Sequence, residues 1–153
     1  MHRLIVVIAL LLTSGLAIAS EKRLQEAAFA PQVTVAQTTL ALRNQTVLTY
    51  LWVDVYAAAL YTQAGLSPRA ALADDQSKRL ELYYFRDIDR SDVIKAAWVT
   101  LERQHDRQTL ERLRPEIDAL HEQFQSIRAG DRYALVFTPS SGLSLERNGV
   151  TLV

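Results

Sequence analysis

The order in which two periodicities follow one another constrains this chain more than any other feature of its sequence. Apolar residues alternate at a spacing of two through residues 33–42 and 79–85, β-branched and aromatic residues fill 47–61, apolar residues recur at helical spacing through 94–127, and they alternate again from 133 onward. A spacing of two puts successive side chains on opposite faces of a strand, and a spacing of three and four puts them on one stripe of a helix. Strands, then helices, then strands predict an α+β domain: a mainly antiparallel sheet with one face covered by helices.

In the first β region, Val33, Val35, Leu40 and Leu42 alternate with Thr34, Thr39 and Ala41, and Arg43-Asn44-Gln45 reads as the turn that ends it. Val47 to Tyr61 reads as one long strand, or two strands with a bend. Ala57-Ala58-Ala59 would suit a helix on propensity, but the β-branched and aromatic neighbours favour strand. Gly65, Ser67 and Pro68 break the element, Arg69 to Ala73 makes a short helical turn, and Leu80, Leu82 and Tyr84 share one face of a strand over 79–85.

Asp89 is placed to cap a helix, with Asp92 in its first turn, where negative charge suits the helix dipole. Ile94, Ala97, Trp98 and Leu101 form its apolar face. A second run carries Leu110, Leu113, Ile117, Leu120, Phe124 and Ile127, and Pro115 within it predicts a kink or a restart with proline in a first turn. Tyr133, Leu135 and Phe137, then Leu143 and Leu145, alternate around a Pro139-Ser140-Ser141-Gly142 turn. Asn148-Gly149 then signals a two-residue hairpin, because both positions accept positive φ.

The first 19 residues read differently. Met1-His2-Arg3 is a short positive start, Leu4 to Leu12 an unbroken apolar run, and Ala17-Ile18-Ala19 the small residues a signal peptidase accepts, so cleavage is expected before Ser20. A spanning helix needs about 20 apolar residues, and the Ser14-Gly15 break favours a cleaved leader over an anchor. The expected organisation is therefore a signal peptide over 1–19, a loosely held lead-in segment over 20–31, and one domain over 32–153, working in the periplasm or as a secreted protein.

Lysine plus arginine and aspartate plus glutamate each number 17, and the leader removes only Arg3, leaving a mature net charge of −1. A nucleic-acid binder would show a basic excess or stripe, and none is present; nor is there a polybasic patch of the kind that anionic lipid attracts. No stable membrane insertion is expected once the leader is gone. With no cysteine, the domain depends on its core rather than on disulfides, and thiolate catalysis and cysteine-ligated metals are excluded.

Val55-Tyr56-Ala57-Ala58-Ala59-Leu60-Tyr61, Leu80-Glu81-Leu82-Tyr83-Tyr84-Phe85-Arg86-Asp87, Ala129-Gly130-Asp131, Pro139-x-x-Gly142 and Asn148-Gly149, in this order and spacing, resemble the successive signatures of the bacterial chalcone isomerase-like family. The resemblance implies an open-faced β-sandwich, in agreement with the periodicities. Family members usually continue beyond the Asn-Gly hairpin with further helices, so it also implies a truncated product or a divergent short form. Plant chalcone isomerases hold a substrate phenolate and a developing enolate with an arginine, a threonine, a tyrosine and an asparagine. These positions fall on Leu48, on Tyr56, and near Ser91 and Trp98 in this sequence, and Arg43 would stand in for the arginine only with a slip of register. Leucine cannot stabilise a phenolate, so isomerase activity is expected to be absent and no catalytic set is assigned.

Other candidates have plainer explanations. His105 and His121 lack carboxylates at metal-ligand spacing and read as surface histidines, so no metal or other cofactor is expected. Asp54 reads as an edge or solvent-facing strand residue, Arg86-Asp87 as a pair at a strand-to-helix junction, Ser140-Ser141-Gly142 as a turn without a histidine partner, and Glu146-Arg147 as a solvated hairpin flank. Trp98 and the Ile94 face read as core. Between sheet and helices, Tyr56, Tyr84 and Trp52 each join an apolar body to a polar tip, and with Arg43 they are the candidate ligand-binding residues. Some relatives of this fold bind fatty acids without catalysis. The leading expectation is thus a non-catalytic binder of an apolar or amphipathic small molecule such as a fatty acid. A chalcone isomerase-type intramolecular lyase is the alternative, and an envelope interaction protein docking through Leu110 to Ile127 is the third reading.

Overall fold

The computed structural model describes residues 20–153, and the expected signal peptide lies outside the described residues. Among the described residues, helical residues 20–27 (α1) precede seven strands: β1 (Gln32–Val35), β2 (Thr38–Tyr50), β3 (Val53–Thr62), β4 (Lys78–Tyr84), β5 (Arg132–Thr138), β6 (Gly142–Arg147) and β7 (Val150–Thr151). A short α2 (Pro68–Ala71) joins β3 to β4, and α3 (Arg90–Gln104) and α4 (Arg107–Glu122) join β4 to β5. The strands form one sheet in chain order, each pair antiparallel. This is the expected α+β architecture.

Three connections are two-residue hairpins with positive φ at both loop positions: Ala36-Gln37, Leu51-Trp52 and Asn148-Gly149. That is the pattern of a type I′ turn, whose twist matches that of the flanking strands. Only the last pair has the residues the turn prefers. The bend allowed within 47–61 is therefore a full reversal at Leu51-Trp52. The turn expected at Arg43-Asn44-Gln45 is corrected: these residues lie inside β2, where the register slips between Leu42 and Asn44. A bulge accommodates the same polar residues that a turn would.

Strand alternation gives the sheet two unlike faces. Val33, Val35, Leu40, Leu42, Ala57, Ala59, Tyr61, Ala134 and Val136 share one, hereafter the N-terminal face. Tyr56, Leu82, Tyr84, Tyr133, Leu135 and Leu145 share the other, the cleft face, which receives Val93 of α3, Leu120 of α4, and Phe124 and Ile127 of the following loop. An isolated bridge between Ile88 and Ile127 closes the base of the α3–α4 insertion.

The lead-in segment is not loose. Ala27 is fully buried, Phe29 packs against the N-terminal face, and the Tyr61 hydroxyl donates to Ala30 O at 2.9 Å. Arg23 donates to Asp54 at 3.0 Å and lies over the Phe85 ring, and Arg132 donates to Ala27 O and sits over Phe29 and Tyr83. These partners lie far away in sequence, so nothing local in 20–31 announces the order.

The helical insertion also departs from expectation in detail. Asp89 occupies the N-cap of α3 but makes no side-chain capping bond; its carbonyl accepts from Val93 N. At α4 it is Asp106 that caps, accepting from Thr109 N at 2.8 Å. Pro115 causes no restart, and α4 runs through it. An interior proline costs about 3 kcal/mol, but Leu120 and His121 seat the later half of the helix in the core. Arg90 ties the end of α4 to the start of α3, donating to Phe124 O at 2.7 Å and His121 O at 3.0 Å, where a cation complements the helix C-terminus. His121 is 6% exposed, between the Trp98 and Phe124 rings, and not on the surface as expected. Burial first, and then Arg90, hold its imidazole below the ordinary histidine range against the opposing pull of Asp118.

Candidate functional site

Tyrosines dominate the cleft face because three adjacent strands present them at matching parity. Tyr56 and Tyr84 are cross-strand partners with ring centroids 5.5 Å apart, edge to face, and Tyr84 meets Tyr133 at 6.0 Å, again edge-on. Edge-to-face aromatic pairs hold their rings beyond what burial alone provides. Beside this row lies a small cleft of about 90 Å³, lined by Leu82, Tyr84, Val93, Leu120, Phe124 and Leu135 among others, with Gln125 and Tyr133 on its wall. The helices do not seal the face. No residue of α3 is buried, Leu60, Leu80, Leu135 and Phe137 remain half-exposed, and Leu143 is 55% exposed.

The polar atoms near the cleft are few and unusually placed. Tyr133 Oη and Arg147 Nε are buried with no hydrogen-bond partner among the described residues. Buried polar atoms are nearly always paired, so such an orphan invites a ligand or a water. Arg147 stands opposite Tyr133 on β6, its guanidinium 5.7 Å from the ring centroid. Its other nitrogens bond Asp131 at 2.8 Å and Gln125. Burial raises the Asp131 carboxyl, but bonds from Arg128 N, Asn148 and Arg147 outweigh it, leaving Asp131 below the usual carboxylate range.

Burial raises the phenols of Tyr56, Tyr84 and Tyr133 above the ordinary tyrosine value; for Tyr84 the other two rings add to the effect, whereas the Arg147 cation opposes it at Tyr133. All three stay protonated near neutral pH. They can donate or accept one hydrogen bond each, but they are not bases. Leu48 is the cross-strand partner of Tyr56 in β2. The position at which the resemblance placed an arginine therefore presents an aliphatic side chain beside the tyrosine row.

Of the candidate ligand-binding residues, the structure brings Tyr56 and Tyr84 together on the cleft face. It separates the other two. Trp52 stands at the β2–β3 hairpin tip, 96% exposed, because the chain reverses there instead of continuing as strand. Arg43 sits at the β2 bulge, exposed, with a 3.4 Å bond to Leu66 O. Tyr133 and Arg147 were not singled out as site residues. Tyr133 was legible as a third tyrosine in phase with Leu135, but the placement of Arg147 depends on the β5–β6 register.

The remaining candidates are structural. Asp54 accepts from Thr49 at 2.8 Å and from Arg23 at 3.0 Å, and these bonds hold its carboxyl low against burial. Asp87 accepts from Ala129 N at 2.9 Å and pairs with Arg128 at the strand-to-helix junction. The expectation of a solvated Glu146-Arg147 flank is corrected: Glu146 accepts from Arg79 at 2.6 Å, and both residues are half-buried. The stripe proposed for docking is partly used within the fold, since Leu120, Phe124 and Ile127 pack on the cleft face.

A larger groove of about 560 Å³ opens between α3 and α4, lined by Trp98, Glu102, His105, Arg107, Glu111 and Arg114 among others. It is wide and charged, and two of its lining residues, Arg107 and Glu111, pair with each other along the exposed side of α4. Size alone would favour it, but the apolar walls and the rings of Tyr84 and Tyr133 belong to the smaller cleft. Among the described residues no three histidine, aspartate or glutamate side chains converge as metal ligands, and no helix is long and apolar enough to cross a membrane.

The chalcone isomerase-like family model matches residues 21–153. No curated protein matches this sequence significantly. Among solved structures, a crystal structure of a fatty-acid binding protein from Arabidopsis thaliana is similar at 15% identity with a TM-score of 0.59, covering 82% of this chain and 75% of that one. At that identity the likeness speaks to the fold.

Proposed function

The chain belongs to the chalcone isomerase-like family, and from that membership we propose that it is an exported, non-catalytic binder of an apolar or amphipathic small molecule such as a fatty acid. The observation that carries this reading is the cleft beside Tyr84: walls of aliphatic and aromatic side chains, Tyr133 among them, with the Tyr133 hydroxyl buried and unpartnered among the described residues. Ligand sites are mostly apolar with a few placed polar groups. The description of the Arabidopsis neighbour as a fatty-acid binding protein supports the same class of ligand. Export rests on the leader pattern of Met1 to Ala19 and predicts a periplasmic or secreted product.

At about 90 Å³ the cleft is smaller than the roughly 300–1,000 Å³ common for small-molecule sites. It would hold one end of an acyl chain, the rest lying along the half-exposed floor of Leu80, Leu135 and Phe137. With side-chain movement that uncovers them, the Tyr133 hydroxyl and Arg147 would then meet the polar head. Isomerase chemistry would need a cation beside Tyr56, where Leu48 stands.

Native mass spectrometry and lipid extraction of the chain recovered from the envelope test the reading. A bound fatty acid, with a melting temperature rising by about 5 °C or more under excess palmitate, is expected. Absence of bound lipid and of any thermal shift, or turnover of a chalcone that is lost in Tyr56→Phe, would overturn it.

A further inference from the structure

The β2–β3 hairpin ends in a tip that the fold makes no use of. Tyr50, Leu51 and Trp52 are 68%, 73% and 96% exposed. Leu51 and Trp52 also take φ of 47° and 67° in a two-residue turn suited to asparagine and glycine. The Asn148-Gly149 hairpin shows the same backbone with the residues that fit it, and the Asn148 side chain bonds Arg132 N and Asp131. At Leu51-Trp52 bulky side chains meet both the backbone penalty and full exposure to water, with no internal packing in return.

We propose that this tip is a membrane-interface contact, dipping into the headgroup layer of a lipid surface. Its chemistry fits that occupant. Tryptophan and tyrosine concentrate at the membrane–water interface, where an apolar ring and a polar atom are both satisfied, and Leu51 between them adds an aliphatic chain for the acyl boundary. Residues 44–53 carry no charge, and the next acidic residue, Asp54, is paired with Arg23. The tip is also too small for a protein interface. Its two aromatic side chains offer at most about 150–250 Å² each and Leu51 no more, against roughly 800 Å² per partner in a stable complex. A narrow apolar hairpin end, with Thr49 the polar side chain next behind it, suits a bilayer better than a flat partner. The contact is shallow and peripheral, and it does not depend on the ligand reading.

Trp52 and Trp98 are the only tryptophans, so Trp98→Phe leaves Trp52 as sole reporter in the purified full chain. With phosphatidylcholine vesicles, Trp52 emission is expected to shift to the blue and to be quenched by brominated acyl chains, whereas Trp98, read alone in Trp52→Phe, is not. Adding Leu51→Asn to the Trp98→Phe chain should weaken the Trp52 response by about tenfold while raising the melting temperature, because asparagine tolerates the positive φ. The absence of cysteine gives a second route that keeps Trp98: an environment-sensitive dye on Leu51→Cys should respond to vesicles, and the same dye on Ala36→Cys, at the polar hairpin tip, should not. Equal responses at the two tips, a water-exposed Trp52 at millimolar lipid, or a blue shift that follows protein concentration without lipid and so marks a second copy, would each overturn the proposal.

Discussion

The two faces of the sheet are made from the same strands and differ in how completely they are finished. On the N-terminal face, Leu40, Ala59 and Tyr61 are fully buried and Ala134 nearly so. The small alanines admit Phe29 and the lead-in helix. The same face carries charge: Glu81, 7% exposed, accepts from Arg79 at 3.1 Å and from Arg132 at 2.5 Å, and Arg79 also holds Glu146 at 2.6 Å. Buried charges cost solvation and persist only when paired and hydrogen-bonded, and here Glu81 and both its arginines are. The cleft face holds a row of three tyrosines, a helix with no buried residue and, among the described residues, two buried polar atoms without partners. A finished face specifies the fold; an unfinished one has free energy left for a ligand.

The largest expected effect attacks the finished face. Glu81→Ala deprives Arg132 of its carboxylate in a nearly buried site and should lower unfolding free energy by about 3–5 kcal/mol in chemical denaturation. Palmitate affinity of the molecules that remain folded should stay within about twofold of the parent, since less than a kcal/mol of coupling is expected between opposite faces. A large loss of affinity would break the separation of roles.

On the unfinished face the ranking reverses. Leu82→Trp fills the cleft and should reduce palmitate affinity by about tenfold or more, at a stability cost of about 1–3 kcal/mol. Tyr133→Phe sharpens the contrast further. Deleting an unpaired buried hydroxyl should leave the unliganded protein equally stable or up to about 1 kcal/mol more stable. Acid binding, measured calorimetrically, should weaken about fivefold. A clear stability loss would mean that the hydroxyl is already satisfied within the fold.

How legible these faces were in the sequence differs in the same way. Leu80, Leu82 and Tyr84, the Tyr133-Leu135-Phe137 alternation and Asn148-Gly149 were readable because period and turn chemistry agreed. The hairpins at Ala36-Gln37 and Leu51-Trp52 were not, because tertiary pairing imposes positive φ on residues that do not favour it. Arg43-Asn44-Gln45 carries turn chemistry yet lies in a bulge. The order of residues 20–31 comes from Asp54, Tyr61 and Arg132, all distant in sequence. For the site, Tyr56 and Tyr84 were identified from residue type, whereas the misplacement of Trp52 followed from missing the reversal beside it.

The smallest expected effect is a pH dependence. His121 is held below the usual histidine value, so the unfolded state takes up a proton first as pH falls, and stability declines from about pH 6.5 downward through the lowered folded value. The neutral form is fully stable above that window. His121→Phe should flatten this part of a denaturation-versus-pH profile, and an unchanged slope would show that burial of the imidazole does not set it.

The most direct measurement of the central claim is methyl NMR of leucine- and valine-labelled protein titrated with palmitate. The account predicts saturable shifts at Leu82, Leu120, Leu135 and Leu145, with Val35, Leu40 and Val136 unmoved. Shifts confined to the N-terminal face, or none on either face at saturating ligand, would contradict it.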